Sequence, residues 1–320
     1  MPNRTAVAEF LLLGFSDGRE LQILHFVVLL GIYLAALVGN LLVLTAIALD
    51  RRLHTPMYYF LGNLSLLDLG AISVTIPKAM ANSLRDTHSI SYAGCVAQVF
   101  LVIFFASADF ALLTVMAYDR YVAICQPLHY ESVMSQRACV RLAAGAWLSG
   151  VLYSALHTGG ALAISFCGGN TVEQFFCEIP QLLKLACAGS DLVEVGVIIF
   201  SVCLILVSFA CMIVSYVQIF RAVLRIPSEQ GRRKAFSPCL PHLAVVSLFI
   251  SSGAFAYLKP ASRSPAGLDL VVAILYTVLP PLMNPVIYSM RNTELKAALR
   301  KWIGWALLTK SKMPPMCLLW

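Results

Sequence analysis

Two carboxylate side chains occur in apolar stretches of the 320-residue sequence, where ionised groups are energetically costly. Asp68 and Asp109 each lie inside a run of roughly 20 apolar residues. A carboxylate at the bilayer centre costs at least about 2.5–3.5 kcal/mol, so such residues normally face the protein interior and serve a function. Together with oxygens of Asn40, Ser107 and Asn284, they could hold a small cation. A hydrogen-bonded plug with one protonated aspartate is the alternative, and the residues alone leave both open.

The overall composition is that of a membrane protein. Hydrophobic residues make up 59% of the chain and charged residues 12%, and the mean hydropathy is +0.81. A soluble domain carries about 25% charged residues, so this chain lacks the polar surface that would cover a water-soluble core. This excludes a soluble enzyme, a disordered protein and a fibrous repeat. The net charge of +7 therefore bears on membrane orientation rather than on nucleic acid binding.

Seven apolar runs are long enough to be transmembrane helices. They are approximately Leu24–Ala48, Tyr58–Ala79, Ala97–Ala117, Leu142–Ile164, Val195–Phe220, Phe236–Leu258 and Leu268–Ser289. Pro238, Pro241 and the polar His242 interrupt the start of the sixth run, although a membrane bundle tolerates proline near a helix end. The sequence predicts an all-α membrane protein, a seven-transmembrane-helix bundle. No tandem or inverted repeat relates its halves, which weakens a transporter interpretation.

The distribution of basic residues predicts the orientation of the bundle. If the N-terminus is outside the cell, most of the 23 lysines and arginines fall on the cytoplasmic side, as the positive-inside rule requires. The first apolar run is too long and begins too late for a cleaved signal peptide, so it is predicted to be a retained anchor. The predicted parts are an extracellular N-terminus (residues 1–23), the bundle (24–290) and a cytoplasmic tail (291–320). A glycosylation sequon at Asn3 agrees with this orientation.

Four of the ten cysteines fall on the predicted outer face, in an oxidising compartment. They are Cys95, Cys167, Cys177 and Cys187. An even number of cysteines there predicts two disulfides, and free thiols are the alternative. Three connectivities are available, and the residues alone do not choose among them.

A signature motif ends the third apolar run. Residues 116–125 read MAYDRYVAIC, and PLHY follows at 127–130. These residues resemble the third-span signature of olfactory receptors, the odorant-detecting branch of the rhodopsin-like G-protein-coupled receptors. Other stretches that resemble the family are EFLLLGFS at 9–16, Gly39-Asn40, LHTPMYYFL at 53–61, LSLLD at 64–68, Ser215-Tyr216 and PLMNPVIY at 281–288. The similarity runs from about residue 8 to about residue 300, and the combination of motifs is highly specific.

The resemblance implies a pairing for the outer cysteines. Cys95 would be bridged to Cys177, which ties the third span to the second outer loop, and Cys167 to Cys187 within that loop. Because the first bridge encloses a long loop, the loop-closure account gives it roughly 4 kcal/mol of stabilisation against unfolding.

The resemblance also implies roles for the interior polar residues. Asp68 and Asp109 resemble the family's interior acidic pair, which favours a site for Na⁺ or a proton, with Asn40 beside it, over the plug. The implied switch and G-protein coupling residues are Asp119, Arg120, Tyr121, Tyr216, Asn284, Pro285 and Tyr288. Among these, Arg120 resembles the arginine that contacts the G protein in the active state, and two tyrosines, Tyr216 and Tyr288, would rearrange around it.

By this resemblance the chain is a receptor and not an enzyme. It would bind a small volatile ligand, activate a stimulatory, olfactory-type heterotrimeric G protein and raise cyclic AMP. It would work in the plasma membrane, in the cilia of olfactory neurons, with no cofactor beyond a candidate structural Na⁺. Residues Thr293–Trp305 alternate apolar and basic residues at helical spacing, which predicts a short amphipathic eighth helix against acidic lipid of the inner leaflet.

The sequence departs from the family pattern at the sixth span. Residues 234–243 read KAFSPCLPHL, with Pro238 and Pro241 where the family usually has threonine and serine. Proline removes a hydrogen-bond donor and bends a helix, so a kinked or stiffened inner end is expected, with an effect on coupling. Ile250 also replaces a tyrosine common in the family, which leaves a more apolar pocket floor next to Phe249.

Helical spacing from the motifs predicts a ligand pocket in the outer half of the bundle. Its predicted lining is Val102, Ile103, Ala106, Ser107, Phe200, Leu204, Gly253, Tyr257, Ile274 and Thr277. This set is apolar with a few hydroxyls, as small-ligand pockets generally are, and ordinary helix packing is the alternative for each member. Amine receptors of the same superfamily carry an aspartate at the position of Val102, so its absence disfavours a biogenic amine.

Three other functions compete with odorant detection. A receptor of the same fold could sense a metabolite or fatty acid, which the sequence does not distinguish from an odorant. A transporter or channel needs a continuous polar path, whereas the mid-span acids are limited to Asp68 and Asp109. An intramembrane hydrolase needs a nucleophile–base pair or a metal motif such as His-Glu-x-x-His, and neither occurs.

Overall fold

The computed structural model describes residues 8–12, 18–85, 87–162, 166, 169–172, 174–185, 187, 191–258, 266–291 and 293–301. Long helices dominate this part of the chain. The helices are α1 (Arg19–Leu49), α2 (Pro56–Arg85), α3 (Tyr92–Cys125), α4 (Tyr130–Val133), α5 (Gln136–Leu162), α6 (Ile179–Lys184), α7 (Asp191–Leu224), α8 (Glu229–Phe236), α9 (Cys239–Leu258) and α10 (Ala266–Arg291). The strands are β1 (Glu9–Leu12), β2 (Ser89–Ser91) and β3 (Thr171–Val172).

Seven of these helices correspond to the seven predicted spans: α1, α2, α3, α5, α7, α9 and α10. Within the described residues, five helices are long and apolar enough to cross a membrane alone, and two bent helix pairs bring the number to seven. Most of the helices extend past their apolar runs, because a helix that crosses the hydrocarbon continues into the polar headgroup region. The chain is an all-α, multi-pass membrane protein with a seven-helix bundle.

Helix α3 is the central element of the bundle and packs against α2, α5, α7 and α9. Its inward side chains, including Leu112 and Met116, are almost fully buried in one large apolar cluster. Gly150 lets α5 approach α3 closely, because a Cβ atom there would lie 2.9 Å from the Cβ of Ala108 and 3.1 Å from the carbonyl oxygen of Phe104. This packing fixes the position of the polar side chains that α3 carries.

A break separates α8 from α9 at the start of the sixth span. Helix α8 ends at Phe236, α9 begins at Cys239, and their axes differ by 47°. Pro238 lies in the break, where its ring and its missing N–H prevent a continuous helix. The bend expected from the prolines is confirmed, and the apolar helix begins three residues after the predicted start at Phe236.

The outer end of the bundle carries a small three-stranded sheet in the order β2-β1-β3. Strand β1 pairs antiparallel with β2 and parallel with β3, so the N-terminal segment joins two outer loops. Phe10 and Leu12 of β1 are buried in an apolar cluster that contains both Cys95 and Cys177. The sheet therefore covers the disulfide region at the outer end of α3.

The described residues cover only part of the predicted cytoplasmic tail, and they do not confirm the amphipathic eighth helix. Residues Thr293–Lys301 are helical and turn about 94° from the last span, with Leu295 and Ala298 buried against the bundle. The predicted amphipathic helix reaches Trp305, and residues 302–320 lie outside the described residues. Its contact with lipid stays a prediction.

Candidate ligand and G-protein sites

The interior acid Asp68 is held by the seventh span. Its side chain is fully buried, and Nδ2 of Asn284 donates to both carboxylate oxygens, at 3.1 Å to Oδ1 and 3.0 Å to Oδ2. This contact joins α2 to α10 in the middle of the bundle. The sequence singled out both residues, and the structure brings them together.

Asn40 links the first span to the seventh through a carbonyl that proline leaves free. Pro285 has no N–H, so the carbonyl oxygen of Pro281, four residues earlier, receives no helical hydrogen bond from it. Nδ2 of Asn40 donates to that oxygen at 2.9 Å and to the Ala36 oxygen at 3.0 Å. Gly39 permits the close approach, since a Cβ atom there would lie 3.2 Å from the Cβ of Pro285.

Several buried oxygens near this region lack a donor. Asp109 is 6% exposed and lies within electrostatic range of Asp68. Among the described residues, Oδ1 of Asp109, Oδ1 of Asn40 and Oδ1 of Asn284 have no hydrogen-bond partner. Ser107 does not supply one, because its hydroxyl donates to the Ile103 carbonyl on its own helix at 2.6 Å. The interior thus contains two carboxylates and two amide oxygens with accepting capacity to spare.

At the inner end of α3, Arg120 is buried and loosely paired. Its Nε lies 4.0 Å from Oδ2 of Asp119 and has no hydrogen-bond partner among the described residues. Asp119 is held instead by α4, since the Tyr130 hydroxyl donates to its Oδ1 at 2.8 Å. Burial, followed by the neighbouring Asp119 carboxylate, raises the pKa of Tyr130 above its ordinary value, so this donor keeps its proton at cytoplasmic pH.

A hydrogen-bond chain crosses the bundle beside Arg120. Nε2 of His242 lies 2.9 Å from the carbonyl oxygen of Leu113, which can only accept, so Nε2 carries the proton. Nδ1 of His242 therefore accepts from the Tyr216 hydroxyl at 2.6 Å. This chain joins α3, α7 and α9. The sequence pointed to Tyr216 but not to His242, whose signal was a polar residue interrupting an apolar run.

The remaining switch candidates lie around the same inner end. Tyr216, His242 and Tyr288 are all within electrostatic range of the Arg120 guanidinium. The Tyr288 hydroxyl is buried without a hydrogen-bond partner among the described residues. Tyr121 is half-buried and packs against the inner ends of α7 and α9. Its hydroxyl accepts a hydrogen bond from Nε2 of Gln126 at 3.1 Å.

At the outer end, the second outer loop fills space between the spans. Phe175 and Phe176 are 2% and 0% exposed, and they pack in one apolar cluster with Val102 and Ile274 of the predicted pocket. Ile103 packs instead in the cluster around the disulfide. Two predicted pocket residues therefore contact the apolar region that the loop phenylalanines occupy.

The other predicted pocket residues that the structure describes do not belong to these two apolar clusters. The Thr277 hydroxyl donates to the Ala273 carbonyl at 2.6 Å, as Ser107 does on its own helix, so both are already bonded locally. Ala106, Phe200 and Leu204 are exposed. The surroundings of Gly253 and the side chain of Tyr257 lie outside the described part of the structure. The lining of a ligand pocket by these residues stays a prediction.

The structure confirms one of the two implied disulfides. Cys95 and Cys177 are bonded, with their Cα atoms 5.4 Å apart, which confirms that bridge. Cys187 is disulfide-bonded as well, but Cys167 lies outside the described residues, so the second pairing stays a prediction. Asn3 also lies outside them.

Sequence reasoning missed Gln98, which holds the second outer loop next to the disulfide. Its Oε1 accepts from the Cys177 N–H at 2.9 Å, and its Nε2 donates to the Val74 carbonyl at 3.1 Å.

A seven-helix membrane bundle with a buried arginine at the inner end of its third span has the architecture of a G-protein-coupled receptor. The sequence profile described as olfactory receptor matches residues 29–304. Human olfactory receptor 14A16 is 52% identical over 93% of this chain and 96% of its own length, and human olfactory receptor 14I1 is 52% identical over 97% and 98%. Human olfactory receptor 14J1 is 50% identical over 99% and 98%. The chain belongs to the olfactory receptor family, whose members are G-protein-coupled receptors and not enzymes.

Proposed function

We propose that this receptor is activated by a small, mostly apolar odorant in the outer half of the bundle. The activated receptor engages a stimulatory G protein and raises cyclic AMP. The observation that carries this proposal is the pair of buried groups at the inner end, Nε of Arg120 and the hydroxyl of Tyr288, that lack hydrogen-bond partners among the described residues. Each buried group without a hydrogen-bond partner destabilises the described arrangement by about 1–3 kcal/mol. A second, open arrangement that satisfies both groups therefore competes with the described, closed one.

A ligand shifts this balance if it binds the open arrangement more tightly. Arg120 is 8% exposed, so the described arrangement hides the residue that the G protein would contact. The Tyr216–His242–Leu113 chain holds α7 and α9 against α3 in this closed form. Ligand-dependent separation of these helices would expose Arg120, and the odorant would need only differential affinity for the two forms.

The Asp119–Tyr130 hydrogen bond is a second restraint on the closed form. Tyr130→Phe removes the donor and leaves the Asp119 carboxylate without it, so ligand-independent cyclic AMP should rise by up to about tenfold. The measurement is basal cyclic AMP at matched surface expression. Tyr118→Phe is the control, because Tyr118 is an exposed tyrosine on α3, next to Asp119 in the chain. A basal signal equal in the two variants would contradict the restraint.

We also propose that Na⁺ occupies the interior acidic site in the closed form. Asp68 and Asp109 would supply charge, and the partnerless amide oxygens of Asn40 and Asn284 fit a hard cation. No group of three or more His, Cys, Asp or Glu in the described residues is arranged to hold a metal ion, so the site relies on these mixed oxygens. An ion that binds only the closed form stabilises it by mass action.

Asp68→Asn tests this site. It removes one carboxylate charge, so replacing NaCl by choline chloride should raise basal cyclic AMP in the wild type and have no effect on the variant. Asp109→Asn should behave like Asp68→Asn. Glu131→Gln, at an exposed acid of α4, is the control. If Asp68→Asn keeps the wild-type basal signal and sodium response, the hydrogen-bonded plug is the correct interpretation.

The location and the lipid contacts belong to the same proposal. A receptor for volatile ligands works at the plasma membrane, in sensory cilia. Lys296, Arg300 and Lys301 lie on the exposed side of the helical segment that follows the last span, where they support contact with acidic lipid of the inner leaflet.

The experiment that tests the proposed function is a cyclic AMP screen with a chemically diverse odorant panel. The full chain is expressed with trafficking helpers, and surface display is measured in the same cells. We expect at least one volatile ligand to raise cyclic AMP in a concentration-dependent way. Responses limited to fatty acids or other metabolites would favour the metabolite receptor of the same fold. Responses through another G-protein class would contradict the stimulatory assignment.

A further inference from the structure

The second outer loop brings a carboxylate to the outer end of the seventh span. The Tyr276 hydroxyl of α10 donates to Oε2 of Glu178, and Nε2 of Gln174 donates to Oε1 at 3.4 Å. The sequence showed no acid among the predicted pocket residues, because Glu178 is distant from all of them along the chain. Only the folded loop places it beside the last span.

The loop around Glu178 is rigidly attached. The preceding residue, Cys177, is bonded to Cys95, and its N–H is held by Gln98. On the other side of the disulfide cysteine, Phe176 is fully buried. A carboxylate that directly follows a covalent bridge and a buried aromatic anchor in the chain has little freedom to move away from a ligand.

The same loop places the carboxylate next to the apolar region predicted to bind ligand. The rings of Phe176 and Tyr276 have centroids 6.3 Å apart, and both belong to the cluster that includes Val102 and Ile274. Glu178 is half-buried at this position. A half-buried carboxylate at the edge of this apolar cluster suits a molecule with an apolar chain and a hydrogen-bond-donating head.

We propose that Glu178 is a specificity-determining residue that accepts a hydrogen bond from the head group of the ligand, in competition with the Tyr276 hydroxyl. This rests on the proposed function and names its ligand class: lipophilic primary amines, whose charged head makes the strongest bond, and after them aliphatic alcohols. Ketones and hydrocarbons have no donor and gain nothing from Glu178. The counter-ion missing at Val102 of the third span is thus supplied by the loop.

Competition between the ligand and Tyr276 for Glu178 predicts shifts in agonist potency of opposite direction in two variants, whereas a purely structural contact predicts shifts in the same direction. Glu178→Ala and Tyr276→Phe abolish the same Tyr276–Glu178 hydrogen bond. If that bond only stabilises the loop, both variants shift every agonist in the same direction. If Glu178 recognises the ligand, Glu178→Ala removes the acceptor while Tyr276→Phe removes its competitor, so the potency of donor-bearing agonists moves in opposite directions.

The experiment uses the full-length receptor and a panel of n-alkyl primary amines, alcohols and methyl ketones matched in chain length. Cyclic AMP concentration–response curves are normalised to surface display. We expect Glu178→Ala to lower amine potency by at least about tenfold, and Tyr276→Phe to raise it by about threefold. Ketone potency should change in neither. Glu178→Gln retains an accepting oxygen without the charge, so amines should lose more potency than alcohols, and its similar shape guards against a folding artefact.

Two outcomes overturn the inference while the proposed function stands: ketones activate the receptor and amines and alcohols do not, or the two single variants shift amine potency in the same direction. A displayed receptor that is silent to this panel and to the diverse odorant panel contradicts the proposed function itself, and the inference with it. Opposite shifts confined to donor-bearing agonists support both.

Discussion

Replacing Arg120 by alanine should abolish ligand-driven cyclic AMP while the receptor still reaches the cell surface. The guanidinium lies at the inner end of α3 with its Nε 4.0 Å from Oδ2 of Asp119, and Asp119 keeps its hydrogen bond from the Tyr130 hydroxyl when Arg120 is removed. Under the proposed function, the same group would contact the G protein in the open form. We therefore expect the maximal response to fall by more than about tenfold.

Two variants separate the role of Arg120 from a general loss of positive charge. Arg137→Ala removes an exposed arginine at the start of α5 and should signal normally. Arg120→Lys retains the charge but not the planar guanidinium, so it should restore only part of the response. Surface immunostaining of unfixed cells checks delivery. An Arg120→Ala receptor with wild-type display and a wild-type concentration–response curve would reject the switch assignment.

The spans could be predicted from the sequence because the membrane imposes a local rule. A chain segment crossing hydrocarbon must satisfy its backbone polar groups internally, so a run of about 20 apolar residues is a helix wherever it occurs. Pro238 is also a local signal, since its missing N–H interrupts a helix whatever its neighbours are. These features depend on consecutive residues and need no knowledge of the tertiary contacts.

Polar residues between the spans could be singled out from the sequence, but the partners that they contact could not be predicted. Asn40 and Asn284 were singled out as polar residues in apolar runs, but the partners of their amides follow from helix rotation and packing. His242 shows the same limit. Its hydrogen bonds to Tyr216 and to the Leu113 carbonyl depend on three helices that are distant in sequence. From the sequence alone, His242 was therefore interpreted as a polar interruption of the sixth apolar run.

The outer loop was the least predictable part of the site. Its backbone has no apolar periodicity that fixes its path, and the disulfide, the Gln98 contacts and two buried phenylalanines place it. For this reason the pocket predicted from helical spacing contained no residue of the loop. Glu178 enters the site through a fold that only the structure reveals.

Loss of the Cys95–Cys177 bridge should prevent display of the receptor at the cell surface. The bridge spans a sequence separation of 82 residues, and closing such a loop in the unfolded chain is worth roughly 4 kcal/mol on the loop-closure account. Natural domains are stable by only about 5–15 kcal/mol, so a loss of this size leaves a large unfolded fraction for quality control. Cys95→Ser and Cys177→Ser should both remain inside the cell, as measured by surface and total immunostaining.

The cause can be assigned with a double variant and a matched control. If the covalent bond carries the effect, Cys95→Ala, Cys177→Ala and the double variant should show the same loss, because either change already removes the bond. Cys203→Ser alters an exposed, unbonded cysteine on α7 and should leave display unchanged. The fixed position of the loop, and with it the carboxylate of Glu178, depends on this bond. Normal display of both single serine variants would show that noncovalent contacts alone, from Gln98 and the buried phenylalanines, hold the loop in place.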